Sequence, residues 1–153
     1  MNFVIPDSLR QEHEALHEEL HRAKQAGGQV GEAAHELARL MHPHFVKEDR
    51  IALPPLGLLA ALARGEADAD MAEVLTLTDR LEAELPAMLE EHKRIVVALQ
   101  RLQGAAEQAG RADVVDFARR LAEHARTEEA VMYPAAVLVG RYVRLLLGRA
   151  RQA

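Results

Sequence analysis

The sequence predicts an all-α fold, an up-down antiparallel four-helix bundle with an additional C-terminal helix. Three observations predict it. Leu, Ala and Val supply most of a 49% hydrophobic content while aromatics are only 3%, and Glu and Arg dominate the 28% of charged residues, a balance that favours helix over strand. Apolar residues recur at three- and four-residue spacing through four long stretches. Gly pairs, Pro pairs and capping residues punctuate those stretches, leaving connections short enough for antiparallel neighbours. With 153 residues, the chain is read as one domain, a bundle over about 7–133 followed by a helical segment over 135–150.

The first helix is expected to open on a capping box, Ser8 with Gln11, to carry Leu9, Leu16 and Leu20 on one stripe, and to stop at Gly27-Gly28. The second runs from about Gly31 through Leu37, Leu40, Met41 and Ile51 to Pro54-Pro55. Pro43 lies inside it, removes the bond to the Arg39 carbonyl, and is expected to kink it. A short helix over Leu56–Arg64 occupies the connection, and Asp70 with Glu73 reads as the box that starts the third helix. That helix carries Leu81, Leu85, Met88, Ile95, Leu99 and Leu102, bends at Pro86, and stops at Gly104 or Gly110. Asp113 is the expected cap of the fourth, which passes through Val114, Phe117, Leu121 and Val131 to Pro134, and 135–147 forms the apolar fifth segment.

Composition removes several classes of function. With no Cys there are no disulfides, thiolate metal sites, Fe–S clusters or cysteine nucleophiles, so a metal here must use His, Asp, Glu or water. Nineteen Lys and Arg against 24 Asp and Glu give a formal charge of −5, and no basic block tracks phosphates, which argues against nucleic acid. The most apolar stretch, Ile51 to Ala63, is broken by Pro54-Pro55 and falls short of the ~20 residues needed to span a bilayer. Pro6 and Asp7 interrupt any signal-type apolar region, so the expectation is a cytoplasmic protein without a membrane partner.

The chemistry lies in an internal repeat. Shifted on itself by about 80 residues, the chain superposes His13 on His92, His44 on His124, Glu48 on Glu128 and Pro54 on Pro134. The apolar frame agrees, with Leu9, Leu16 and Leu20 on Met88, Ile95 and Leu99. Each half is a helix with one His, then a helix with His-x-x-x-Glu. Each of these residues sits at helical spacing from buried-stripe neighbours, so four imidazoles and two carboxylates point inward. An unpaired ionised Glu in a bundle core costs several kcal/mol, and two of them beside four His ask for a cation. One turn separates His from Glu in each motif, about 6 Å along the axis, so both reach one centre without bending the backbone. Two facing helices so equipped offer two bridging carboxylates and two imidazoles for each of two metals. The competing reading, a His–Glu hydrogen-bond network without metal, gives no reason for polar residues at the middle of all four helices.

With Glu12-His13, His44-x-x-x-Glu48 and Pro54, Glu91-His92, and His124-x-x-x-Glu128-Glu129 with Tyr133-Pro134, the chain resembles the hemerythrin-like, or HHE cation-binding, family over Leu9 to Tyr133. The resemblance implies a non-haem diiron centre of two iron ions, with His13, His44, His92 and His124 as terminal ligands and Glu48 and Glu128 as bridges. An oxo or hydroxo bridge and a position open to dioxygen are implied with it. Oxygen-carrying hemerythrins add a second His four residues after the helix-three His, where this chain has Val96, and an Asp five residues after the helix-four His, where it has Glu129. The chain is therefore more similar to the branch with symmetrical His and Glu sets, which includes iron-sensing domains and proteins linked to nitric oxide stress. With fewer protein nitrogens, more metal positions are left for water, O2, peroxide or NO, which favours reaction or sensing over reversible carriage.

His17 and His21 fall on a stripe next to His13, where one could add a ligand, tune the site or line an entry path, or where both simply edge the helix. His35 and His42 read as surface or boundary residues, with His42 the substitute should Pro43 turn it inward. A ferritin-like diiron site needs Glu-x-x-His on two helices, and Glu14–His17, Glu18–His21 and Glu32–His35 match; Leu89 and Leu121 break the motif in the second half. Zinc fits the same ligands as second choice. The leading expectation is a diiron protein that binds or reacts with O2, peroxide or NO, possessing oxidoreductase chemistry if it turns over. The alternative is an iron or oxygen sensor acting through a protein partner. The C-terminal segment is its candidate switch, or a homodimer face.

Overall fold

The computed structural model describes residues 3–150; residues 1, 2 and 151–153, the ends of the expected domain, lie outside it. Among the described residues there are helices and turns and no strand. Helix α1 spans Asp7–Lys24 and starts one residue before the expected Ser8 cap. Pro6 holds the cap position with φ −51°, its carbonyl accepting from the amides of Leu9 and Arg10, while Asp7 stands in the first turn, the favourable end for a negative charge, and pairs with Arg10. Gly27 and Gly28, at φ 70° and 56°, make the turn into α2 (Gly28–Lys47), and that left-handed backbone is why two glycines stand there.

The remaining boundaries correct the sequence reading in instructive ways. Helix α2 continues without interruption across Pro43. It ends in a π-turn, Glu48–Ala52, closed by Leu53 N–H donating to the Glu48 carbonyl at 3.0 Å. A 3₁₀ turn over Pro54–Leu58 and a short α3 (Leu59–Ala63) follow. The cap before the next long helix is Asp68 rather than Asp70: its carboxylate accepts from Asp70 N–H at 3.0 Å and opens a 3₁₀ turn, Ala69–Glu73. Helix α4 then runs Val74–Gln108, unbroken at Pro86 and Gly104, and turns at Gly110 with φ 65°. Helix α5 (Ala112–Thr127) begins after Arg111; Asp113 sits inside the first turn and pairs with Arg111 instead of capping. Pro134 does not end this helix. A second π-turn, Glu128–Met132, leads directly into α6 (Tyr133–Ala150), so the expected fifth helix is a continuation of the fourth.

Cross-helix pairs give the directions. Glu12 meets His124 and Glu19 meets Arg120, Glu36 meets Arg101 and Glu91 meets His44, and Asp79 meets Arg144 while Glu82 meets Arg141. In each set one number rises as the other falls, so α1 with α5, α2 with α4, and α4 with α6 run antiparallel.

Helix α4 reads the core in layers. Its Ile95, Leu99, Leu102 and Ala106 pack with Leu16, Leu20, Leu37, Phe45, Phe117 and Leu121. Beyond His92, Met88 and Leu81 pack with Ile51, Leu53, Leu56, Met132, Tyr133 and Ala136. At the far end, Val74 meets Leu58, Leu62, Met71, Val139 and Val143. Between the first two apolar layers lies a polar one. Helix α6 also keeps Leu138, Tyr142 and Leu145 exposed, in line with Val131 of the preceding π-turn. The continuous 112–149 helix holds an 18-residue stretch of mean hydropathy 1.4, one third of it buried, which meets the length and composition of a membrane span; the sequence reading broke this helix at Pro134 and missed it. Its inner face packs on α4 and carries His124 and Glu128.

Candidate metal centre

The polar layer is made by the six residues the repeat singles out. His13 from α1, His44 from α2, His92 from α4 and His124 from α5 are 2–4% exposed, and Glu48 and Glu128, which open the two π-turns, are 0% and 2% exposed. They gather into two groups. His44, Glu48, His92 and Glu128 form one, and His13, His124 and Glu128 the other, with ligand atoms in each lying within 4.8 Å of one another. His44 Nε2 and His92 Nε2 are 2.8 Å apart, and His13 Nε2 and His124 Nε2 are 3.1 Å apart.

Each carboxylate faces both groups. Glu128 Oε1 lies 2.6 Å from His124 Nε2 and 3.4 Å from His13 Nε2, while its Oε2 lies 3.3 Å from His92 Nε2. Glu48 Oε1 lies 3.2 Å from His44 Nε2, and its Oε2 is 3.7 Å from His13 Nε2. The two π-turns explain this symmetry. Each widens the helix at its Glu and relieves the clash that Pro54 or Pro134 would otherwise make with the preceding turn.

A ring of outer carboxylates orients the imidazoles. His44 Nδ1 donates to Glu91 at 2.7 Å, His92 Nδ1 to Glu129 at 2.8 Å and His124 Nδ1 to Glu12 at 3.1 Å; Asp49 stands 3.4 Å from His13 Nδ1. Lys47 holds Glu91 in turn, at 2.5 Å. An ionised carboxylate only accepts, so these Nδ1 atoms carry protons, and in the neutral tautomer the Nε2 lone pairs turn inward. Lone pair would then face lone pair at about 3 Å in both His pairs. Two buried carboxylate oxygens, Glu48 Oε2 and Glu128 Oε1, have no hydrogen-bond partner, and neither does the ring nitrogen His13 Nδ1. A cation at each group satisfies the facing lone pairs and both orphaned oxygens at once, so the residues fit a metal.

Without a cation, protons do this work. Burial alone would lower His44, but the Glu48 contact and charge and the Glu91 bond outweigh it and hold the imidazolium up to about 9. His124 is likewise raised to about 9 against burial, by Glu128 and Glu12. Glu128, which burial would raise, is pulled well below the usual carboxylate range by His124, His13 and His92. Glu48 goes the other way, raised by burial and by the Glu128 charge. The site is thus strongly polarised, with one carboxylate held ionised and the other resisting ionisation.

A match to the family model of the hemerythrin HHE cation-binding domain covers residues 4–136. The chain belongs to that family. No curated protein and no solved structure matches it. The family binds metal cations, typically iron, and the buried His and Glu groups of this chain could hold such an ion.

The histidines outside the repeat stay outside the centre. His17, His21, His35 and His42 are exposed, so the Glu-x-x-His motifs of the ferritin-like alternative do not converge, and Pro43 leaves His44 rather than His42 facing inward. Val96 is exposed as well, at 38%. One inner residue escaped the sequence reading as a site residue. Tyr133 is 1% exposed, donates its hydroxyl to Glu48, and places that oxygen 3.2 Å from His92 Nε2 and 3.5 Å from His44 Nε2. The signal was the Tyr133-Pro134 pair, whose counterpart in the first half is Leu53-Pro54, so only the His44–His92 group has a phenol. The outer carboxylates also went unassigned, although the paired Glu12-His13 and Glu91-His92 advertise them.

Proposed function

We propose that this hemerythrin HHE domain holds two iron ions and uses them to bind or react with O2, peroxide or NO. The observation that carries the reading is that Glu48 and Glu128 each face both imidazole groups, which is what a bridging carboxylate must do. In this reading His44 and His92 hold one ion, His13 and His124 the other, and the four long helices are the family's up-down bundle. When bound, iron supplies redox chemistry and an open coordination position for a small oxygen or nitrogen ligand. The chain's own residues do the rest. Glu91, Glu129 and Glu12 fix the imidazole tautomers, and the flanking apolar layers keep bulk water out. Tyr133 donates its one hydroxyl proton to Glu48 at the edge of one group and so fixes that carboxylate. Zinc is the second choice of metal for the same donors.

Elemental analysis after anaerobic iron loading and desalting tests this directly. About two tightly held irons per chain is the expected result, falling below two in Glu128→Ala. Full loading of that variant overturns the bridging assignment, and near-zero iron in the parent overturns the iron reading.

A second reading is favoured by one connection. Glu128 opens the π-turn and Tyr133 opens α6, so whatever the centre holds acts directly on that helix. In a sensor, α6 and the π-turn before it would report through exposed Val131, Leu138, Tyr142 and Leu145, whose spacing of seven, four and three residues is that of a coiled-coil seam and suits a second copy. Metal-dependent oligomerisation in sedimentation is then expected. Identical oligomeric state and protease sensitivity with and without metal would remove this reading, and turnover of peroxide or NO would favour the first.

A further inference from the structure

Outside the metal centre, a cavity of about 430 Å³ lies between α1 and α2. Helix α1 contributes His17, His21 and Lys24 to its walls, and α2 contributes His35, Arg39 and His42. Leu20 and Met41, buried core residues, form an apolar floor. Every charged or ionisable side chain that lines the cavity bears nitrogen; no carboxylate does, although the chain has 24 acidic residues and a net charge of −5. Elsewhere on the same two helices, Arg10 pairs with Asp7 and Glu14, and Lys47 with Glu91, but Lys24 and Arg39 make no ion pair among the described residues.

We propose that this cavity binds a small organic phosphate, its phosphoryl group held by Lys24, Arg39 and the flanking imidazoles and its apolar part on Leu20 and Met41. A point cation is a poorer fit on two counts. The four imidazoles are not among the groups whose ligand atoms converge within 4.8 Å, and two fixed positive charges flank them. A phosphoryl group spans more of the cavity, accepts from several N–H donors at once, and is matched by a guanidinium fork and an ammonium. The volume is that of a small-molecule site and exceeds what a lone phosphate fills. The site neighbours the metal centre: the His17 ring lies 4.2 Å from Phe45, and Phe45 lies 4.8 Å from His13. It does not depend on which metal that centre holds.

Calorimetric titration of the full metal-loaded chain with phenyl phosphate tests the proposal, and the cavity variants below separate binding there from binding at the metal centre. One saturable site is expected, weakening as salt is raised. Affinity should fall about tenfold or more in the Lys24→Ala/Arg39→Ala double variant. It should hold in Arg126→Ala, a control on α5 that does not line the cavity and whose partner is Glu123. His21→Gln and His35→Gln should each weaken binding with helicity unchanged, which keeps the test independent of any folding defect in the double variant. The proposal is overturned by the lack of a saturable isotherm, by binding undiminished in the double variant, or by inorganic phosphate binding as tightly as phenyl phosphate. It is also overturned if Zn²⁺ saturates the cavity and phenyl phosphate does not.

Discussion

The four imidazoles work as pairs, and what decides each pair's behaviour is the carboxylate behind it. Glu91 holds His44 and is itself held by Lys47, so Glu91→Ala frees a ring whose orientation is otherwise set. Metal affinity is expected to drop by roughly 10–100-fold in that variant, as measured by chelator competition, while the fold persists. Glu129→Ala acts on His92 in the same way. Tyr133→Phe removes the donor to buried Glu48 and should cost the metal-free protein roughly 1–3 kcal/mol in urea unfolding. Titration of the histidines sets the pH response. His44 and His124 are raised to about 9 from the ordinary imidazole value of 6.5, so folding takes up protons there. Their contribution to the metal-free fold is complete below pH ~6.5 and is lost as pH rises through about 9. The midpoint of thermal unfolding without metal should therefore fall across that window. Metal competes with the same protons, so loading at neutral pH should release them to an unbuffered indicator, and affinity should rise with pH.

At the scale of elements, the two π-turns and the α4–α6 contact carry the design. A π-turn at each Glu lets Pro54 and Pro134 follow without breaking the chain direction, and in the second half the helix simply continues as α6. That continuation packs tightly. A Cβ on Gly140 would collide with the side chain of Thr78, which is 1% exposed and β-branched and so has little freedom to move away. Gly140→Ala should destabilise by about 1–3 kcal/mol in urea unfolding. Gly148, on the same helix with open space around its missing Cβ, gives the contrast: Gly148→Ala should stabilise by about 0.5–1 kcal/mol. Capping was the least legible part of the elements. Ser8, Asp70 and Asp113 all looked like caps, yet Pro6, Asp68 and Arg111 occupy those positions, because several polar residues near a helix start compete and the local sequence does not rank them.

Across the whole molecule, metal and fold are coupled. Two buried carboxylates and four facing imidazoles sit between two apolar layers, so a cation that satisfies them stabilises the folded chain alone. Adding iron at neutral pH should raise the unfolding temperature by several degrees, and a chelator should reverse the rise. The sequence by itself determined the helical class, the inward stripes and the six buried His and Glu, because duplication and the 3.6-residue period are local properties that survive without coordinates. Tertiary structure alone decided the rest. That each Glu faces both His groups, that Glu91, Glu129 and Glu12 reach imidazoles on other helices, that Tyr133 enters one group only, and that α1 and α2 close a basic cavity all depend on distances between residues far apart in the chain. Those distances are set by how the helices pack, and helix periodicity specifies which face is buried without specifying which atoms meet across it.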